Sequence, residues 1–140
     1  MSAIRTIYRY WAALLFAAVI VQIGAAGYGA FYSAHKLRHK RDMLGHHLFD
    51  HGWNFHNGLG YAIFLGAVIL LLLALGGRLG KQGVLRALAA PVLVAIQIVL
   101  AWGGESQPIV GIFHPINALL IAGLTGSLAF AAWRRVRAIG

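Results

Sequence analysis

FHNGLGYAIFLGAVILLLLALGG, residues 55–77, decides the fold. Beyond His56 and Asn57 its only polar side-chain group is the hydroxyl of Tyr61. A helix needs about 20 apolar residues to cross the hydrocarbon core of a bilayer, and this run supplies them. Runs of the same kind at about 8–32, 87–103 and 112–133 join it, taken as 53–76, to give four spans. The composition agrees, with 140 residues, 60% of them hydrophobic, 11% charged, and a mean hydropathy of +0.75. A soluble domain of that length carries roughly twice that share of charge. The expectation is an all-α integral membrane four-helix bundle, up-down-up-down, forming a single transmembrane domain over residues 1–140.

Arg5 and Arg9 precede an apolar run with small residues at 24–30, a pattern that a signal peptide shares. The run continues through Phe31 at spanning length, so it is read as a retained first helix. Cysteine is absent, which excludes disulfides and thiolate ligation. The net charge of +9 is distributed at helix ends and not along one face, which argues against nucleic acid as a partner. Arg5, Arg9, Arg78, Lys81, Arg86, Arg134, Arg135 and Arg137 fall on one side of the expected membrane; Lys36, Arg38, Lys40 and Arg41 fall on the other. By the positive-inside rule both termini are cytoplasmic, in a bacterial inner membrane. Four cations on the outer side then call for a reason.

The two halves read as weak copies of one hairpin. VQI at 21–23 is echoed by IQI at 96–98, and Phe55-His56 by Phe113-His114. The first copy carries an insertion, so that residues 33–52 form an outer connection rich in histidine and basic residues. Glycines recur in the spans, for example Gly24, Gly27, Gly58, Gly60, Gly123 and Gly126; small residues let helices, or a flat ligand, approach closely in lipid.

His56 and His114 each stand just inside the outer start of an expected span, and both of those spans run inward. At 1.5 Å of rise per residue they lie at nearly equal depth. A single histidine there reads most simply as an interfacial residue bonded to headgroups or loop carbonyls. Two at matched depth can meet across the core, and an ionisable side chain inside a span normally faces the interior and has a partner. With neither cysteine nor carboxylate at that depth, a metal centre would rest on neutral imidazole. Haem suits two such ligands, because its iron accepts an imidazole on each face and its macrocycle is apolar. One turn inward stand Gly60 and Ala118, small enough to admit the ring, and Arg38 and Arg41 with Lys36 and Lys40 would neutralise its carboxylates. The expected cofactor is one haem b, non-covalent because no C-x-x-C-H motif is present. No catalytic residue is assigned. The expected work is electron transfer near the outer face by a cytochrome-like subunit, with quinol or a redox protein as partner, in a homo- or hetero-oligomer or a larger respiratory complex. A cofactor-free structural or assembly subunit is the alternative.

VQIGAAGYG on the first span, HNGLGY on the second and HPINA on the fourth resemble an uncharacterised family of small bacterial four-helix membrane proteins. More distantly, the arrangement is similar to one half of haem A synthase, with H-x-x-L-G and H-P-x-N as its strongest elements. That resemblance implies a haem-binding four-helix bundle with His56 and His114 in the places of the ligand pair. Haem A synthase has a glutamate three residues before the first of these histidines; this chain has Trp53, so the hydroxylation activity is not carried over.

The insertion holds the other five histidines, with Asp42 and Asp50. His35/His39 and His47/His51 are i,i+4 pairs that place two ligands on one helix face. His46, His47, Asp50 and His51 are candidate ligands for an additional zinc, copper or iron ion; a basic amphipathic segment on the outer surface, or support for the haem, are the other readings. HKLRH also resembles the boxes of membrane di-iron oxidases, but the spacing H-x-x-H-H is missing.

Overall fold

The computed structural model describes residues 3–39 and 46–137. These form α1 (Ala3–His39), α2 (His46–Gly76), α3 (Gly80–Ser106), a single turn α4 (Pro108–Gly111) and α5 (Phe113–Arg137). Four stretches are long and apolar enough to cross a membrane: Ala3–Arg38, Asp50–Gly76, Gly80–Ser106 and Pro108–Arg134. The chain is therefore an all-helical, multi-pass membrane protein.

Both helices of the first half exceed the expected spans. Much of the stretch read as a connection continues α1 to His39 and starts α2 at His46. Residues 33–44 contain neither Gly nor Pro and are rich in good helix formers, so nothing ends the helix where the hydropathy falls. Tyr32 ties the two extensions together, with its ring 5.9 Å from that of His51 and Lys36 placed 5.3 Å above it. Arg38 is exposed near the end of α1, whereas Lys40 and Arg41 lie outside the described residues.

The elements pack as a ring: α1 against α2 and α5, and α3 against α2 and α5. Among the described residues, α2 and α5 do not pack directly on one another and face across the middle. The core is narrow and small-sided, with Ala12, Ala67, Ala74, Ala87 and Ala90 almost fully buried. Large apolar side chains such as Leu14, Leu65, Val99 and Leu119 point outward, as a lipid solvent requires.

The core repeats itself. The shift that carries Gln22 onto Gln97 also carries Ala12, Leu15 and Val19 onto Ala87, Ala90 and Val94, and all six are buried. The shift that carries His56 onto His114 carries Ile63, Ala67 and Leu70 onto Ile121, Thr125 and Leu128, again all buried. The molecule is thus two hairpins, α1–α2 and α3–α5, related by an approximate two-fold.

A tight turn joins them. Gly77 N–H donates to Leu73 O (2.9 Å) and Leu79 N–H to Ala74 O (3.2 Å), while Arg78 and Gly80 take φ of 49° and 75°. Arg5 reaches this turn from α1: its Nε donates to Gly77 O (2.8 Å) and its Nη2 to Arg78 O (3.1 Å). A guanidinium there meets the carbonyls that a helix C-terminus leaves unpaired. In the second hairpin Pro108 opens α4 and Pro115 falls in the first turn of α5, where a missing N–H costs nothing.

Candidate functional site

Each hairpin is held by a reciprocal clasp near the level of its histidine. In the first, Gln22 Nε2 donates to His56 O (2.8 Å), and the His56 ring returns the contact, with Nδ1 3.3 Å from Gln22 O. In the second, Gln97 Nε2 donates to His114 O (3.0 Å), and His114 Nδ1 lies 3.2 Å from Gln97 O. A carbonyl oxygen can only accept, so Nδ1 carries the proton in both rings. Both Nε2 atoms are then the lone-pair nitrogens, which is the form of histidine that ligates metals.

The clasps also aim the rings. The His56 and His114 ring centroids are 6.3 Å apart, with 52° between their planes. The structure thus brings together the two residues that the sequence paired, from two helices that face one another across the middle of the bundle. Gly60 lies beside the first clasp, where a Cβ would come within 3.2 Å of Gln22 Nε2. Ala118 holds the equivalent place in the second and is partly buried.

Two differences separate the hairpins at this site. Asn117, buried one turn below His114, donates from Nδ2 to Gln97 Oε1 (2.7 Å) and to Leu93 O (2.9 Å). Its counterpart under the repeat is Leu59, which has no donor. Gln22 Oε1 is accordingly buried without a hydrogen-bond partner among the described residues. The second difference lies just outside the histidines. Trp53 stands edge-on to the His56 ring (5.5 Å between centroids, 89° between planes), and its Nε1 donates to Ser33 Oγ (3.3 Å). Gly29 admits the indole, since a Cβ there would meet it at 2.8 Å. The equivalents of Gly29 and Trp53 are Gly104 and Gly111, and these approach backbone to backbone, a Cβ on Gly104 lying 2.9 Å from Gly111 Cα.

The other five histidines belong to the facing ends of α1 and α2. Asp50 and His51 are exposed, and the side chains of His39, His46 and His47 lie outside the described residues. Among the described residues no group of three or more His, Asp or Glu side chains is placed to hold a metal ion.

Gln22 and Gln97 were visible in the sequence only as the middle of a repeated tripeptide. Their partners are main-chain atoms, which leave no mark in residue identity. The signal that could have found them is spacing: a glutamine inside a span, like a histidine, needs a partner from another helix.

No protein-family model matches the chain, and no curated protein or solved structure is detectably similar to it.

Proposed function

We propose that the chain is a b-type haem-binding membrane protein in which His56 and His114 hold one iron between them near the outer face. One observation carries the reading: two imidazoles on facing helices, 6.3 Å apart, each with Nδ1 fixed on a carbonyl and Nε2 left to ligate. Metal–imidazole bonds of roughly 2 Å, with about 1 Å from each nitrogen to its ring centre, place two such rings roughly 6 Å apart. The donor set therefore fits a metal taken from two sides. When bound, haem supplies one-electron exchange and a flat apolar surface.

The protein's own contribution is orientation and insulation. Gln22 and Gln97 fix the tautomer of each ring and stop it from turning. Trp53 covers the outer edge of His56, and Arg38 with Lys36 places positive charge at the outer end, where haem carboxylates would meet water. We place the four helices up-down-up-down in a bacterial inner membrane, termini cytoplasmic, on the strength of eight cations at one end against four at the other. A haem near one face exchanges electrons with a partner on that face, a quinol or a redox protein, and not across the whole bilayer.

The clasps are also interhelical hydrogen bonds in their own right, and a purely structural role for them gives the second reading, a cofactor-free structural or assembly subunit. Reduced-minus-oxidised absorption of protein purified from haem-replete cells separates the two. A sharp α-band with two-imidazole character is expected, and a colourless preparation overturns the haem reading. Metal analysis of the same sample reads the outer histidines, where His35→Ala leaves the spectrum unchanged.

A further inference from the structure

At the end of the bundle that carries Arg5 and Gly77, Arg9 sits in the apolar body of α1 and is partly buried. Its guanidinium lies over two rings, 4.6 Å from the centroid of Trp133 and 4.9 Å from that of Tyr10, and these rings meet edge-on at 5.5 Å. Its Nε is buried and has no hydrogen-bond partner among the described residues. A buried guanidinium N–H without an acceptor calls for an anion, and among the described residues no side-chain carboxylate lies at this end. The chain's three side-chain carboxylates are Asp42, Asp50 and Glu105. Asp50 and Glu105 belong to the other end, Asp50 close to the Tyr32 level of α1 and Glu105 one residue beyond the Gly104–Gly111 crossing, and Asp42 lies outside the described residues. Two other cations of this end are engaged, Arg5 by the carbonyls of the α2–α3 turn and Arg86 by Ser127 Oγ (3.1 Å). Arg134, beside Trp133 in sequence, rests 5.6 Å over Phe130.

We infer that Arg9 binds the phosphate of an anionic phospholipid, on the flank where Tyr10 of α1 and Trp133 of α5 meet. The source of the phosphate is lipid because this flank belongs to two membrane spans. Tyr10 and Trp133 are 57% and 40% exposed on the flank of a membrane span, and the exposed large apolar residues Ile7, Leu14 and Phe130 flank them. Aromatic rings of this kind sit at headgroup level, where guanidinium and phosphate meet with reduced screening. The flat rings hold the guanidinium by cation–π contact and leave its in-plane donors free for the two oxygens of a phosphodiester.

The test uses the full chain, delipidated in neutral detergent and titrated with phosphatidylglycerol, with phosphatidylcholine or with inorganic phosphate. Bound adducts are counted by native mass spectrometry. One phosphatidylglycerol should be retained in preference to phosphatidylcholine, and millimolar phosphate should not displace it. Arg9→Gln should weaken that preference roughly fivefold to tenfold, the attraction of one cation for an anionic lipid. Arg78→Gln removes the same charge from the same end and should leave the preference intact. Trp133→Leu keeps every charge, removes one of the two rings, and should lose several-fold; it also serves if Arg9→Gln fails to fold. Equal retention of both lipids, equal loss in Arg78→Gln, or displacement by inorganic phosphate would each overturn the inference.

Discussion

The α1–α2 hairpin and the α3–α5 hairpin solve one packing problem twice, and they differ where function is proposed. Both bury Ala, Leu or Val at equivalent places on the first helix and close with the same glutamine–histidine clasp. The first then extends further, sets Trp53 edge-on to its histidine, and leaves Gln22 Oε1 without a donor among the described residues. The second stops short, crosses at two glycines, and completes its network through Asn117. What is shared is what brings the two rings to within 6.3 Å of one another. What differs sets how firmly each ring is held and what covers it.

If the shared part holds a haem, breaking either clasped histidine should have the same large effect. His56→Ala and His114→Ala should each lower haem per protein by roughly tenfold or more, read by pyridine haemochrome against protein concentration. Full retention in either variant would break the equivalence and with it the iron pair. Close packing comes next. Gly104→Ala places a methyl against backbone that has no side chain to move, and should cost about 1–3 kcal/mol in an SDS unfolding titration. Gly24→Ala, with open space around its Cβ, should change nothing, and a matching loss there would show that helix propensity and not the crossing is being measured. Asn117→Leu makes the second hairpin resemble the first and should cost about 1–2 kcal/mol, since interhelical hydrogen bonds in membranes are individually modest and both Gln97 Oε1 and Leu93 O lose their donor. The smallest effect is the reverse exchange. Leu59→Asn offers Gln22 Oε1 a donor and should stabilise by about 0.5 kcal/mol, the size of one such bond. A clear loss would mean that Leu59 matters more as apolar packing than the orphaned oxygen does as a cost.

The four spans were legible because lipid imposes a length and a polarity that composition alone reports. The insertion was not. Residues such as Lys36, Leu37 and Arg38 have helical propensity but no hydropathy signal, so a reading tuned to apolar runs stops at Tyr32 although the helix does not. The histidines were legible as a pair because matched depth on two similarly directed spans is itself a spacing signal. The rest of the site was hidden for two reasons. The clasps bind main-chain oxygens, which any residue carries. Trp53 acts through the face it turns to His56, and that depends on Gly29, twenty-four residues away on another helix. Gly60, read as space for a flat ligand, stands against Gln22 in the first clasp.

The approximate two-fold has a consequence for how such a molecule came to be one chain. A pair of hairpins meeting about an axis has the geometry of a dimer, with the Gly77–Gly80 turn as its covalent tether. In a dimer of identical hairpins, both copies change together, and a tryptophan set edge-on to one histidine would stand against both. Fusion removes that symmetry constraint. It allows one hairpin to keep the Asn117 brace while the other sets Trp53 against its histidine, so that His114 is the more firmly braced of the two rings and His56 the more covered.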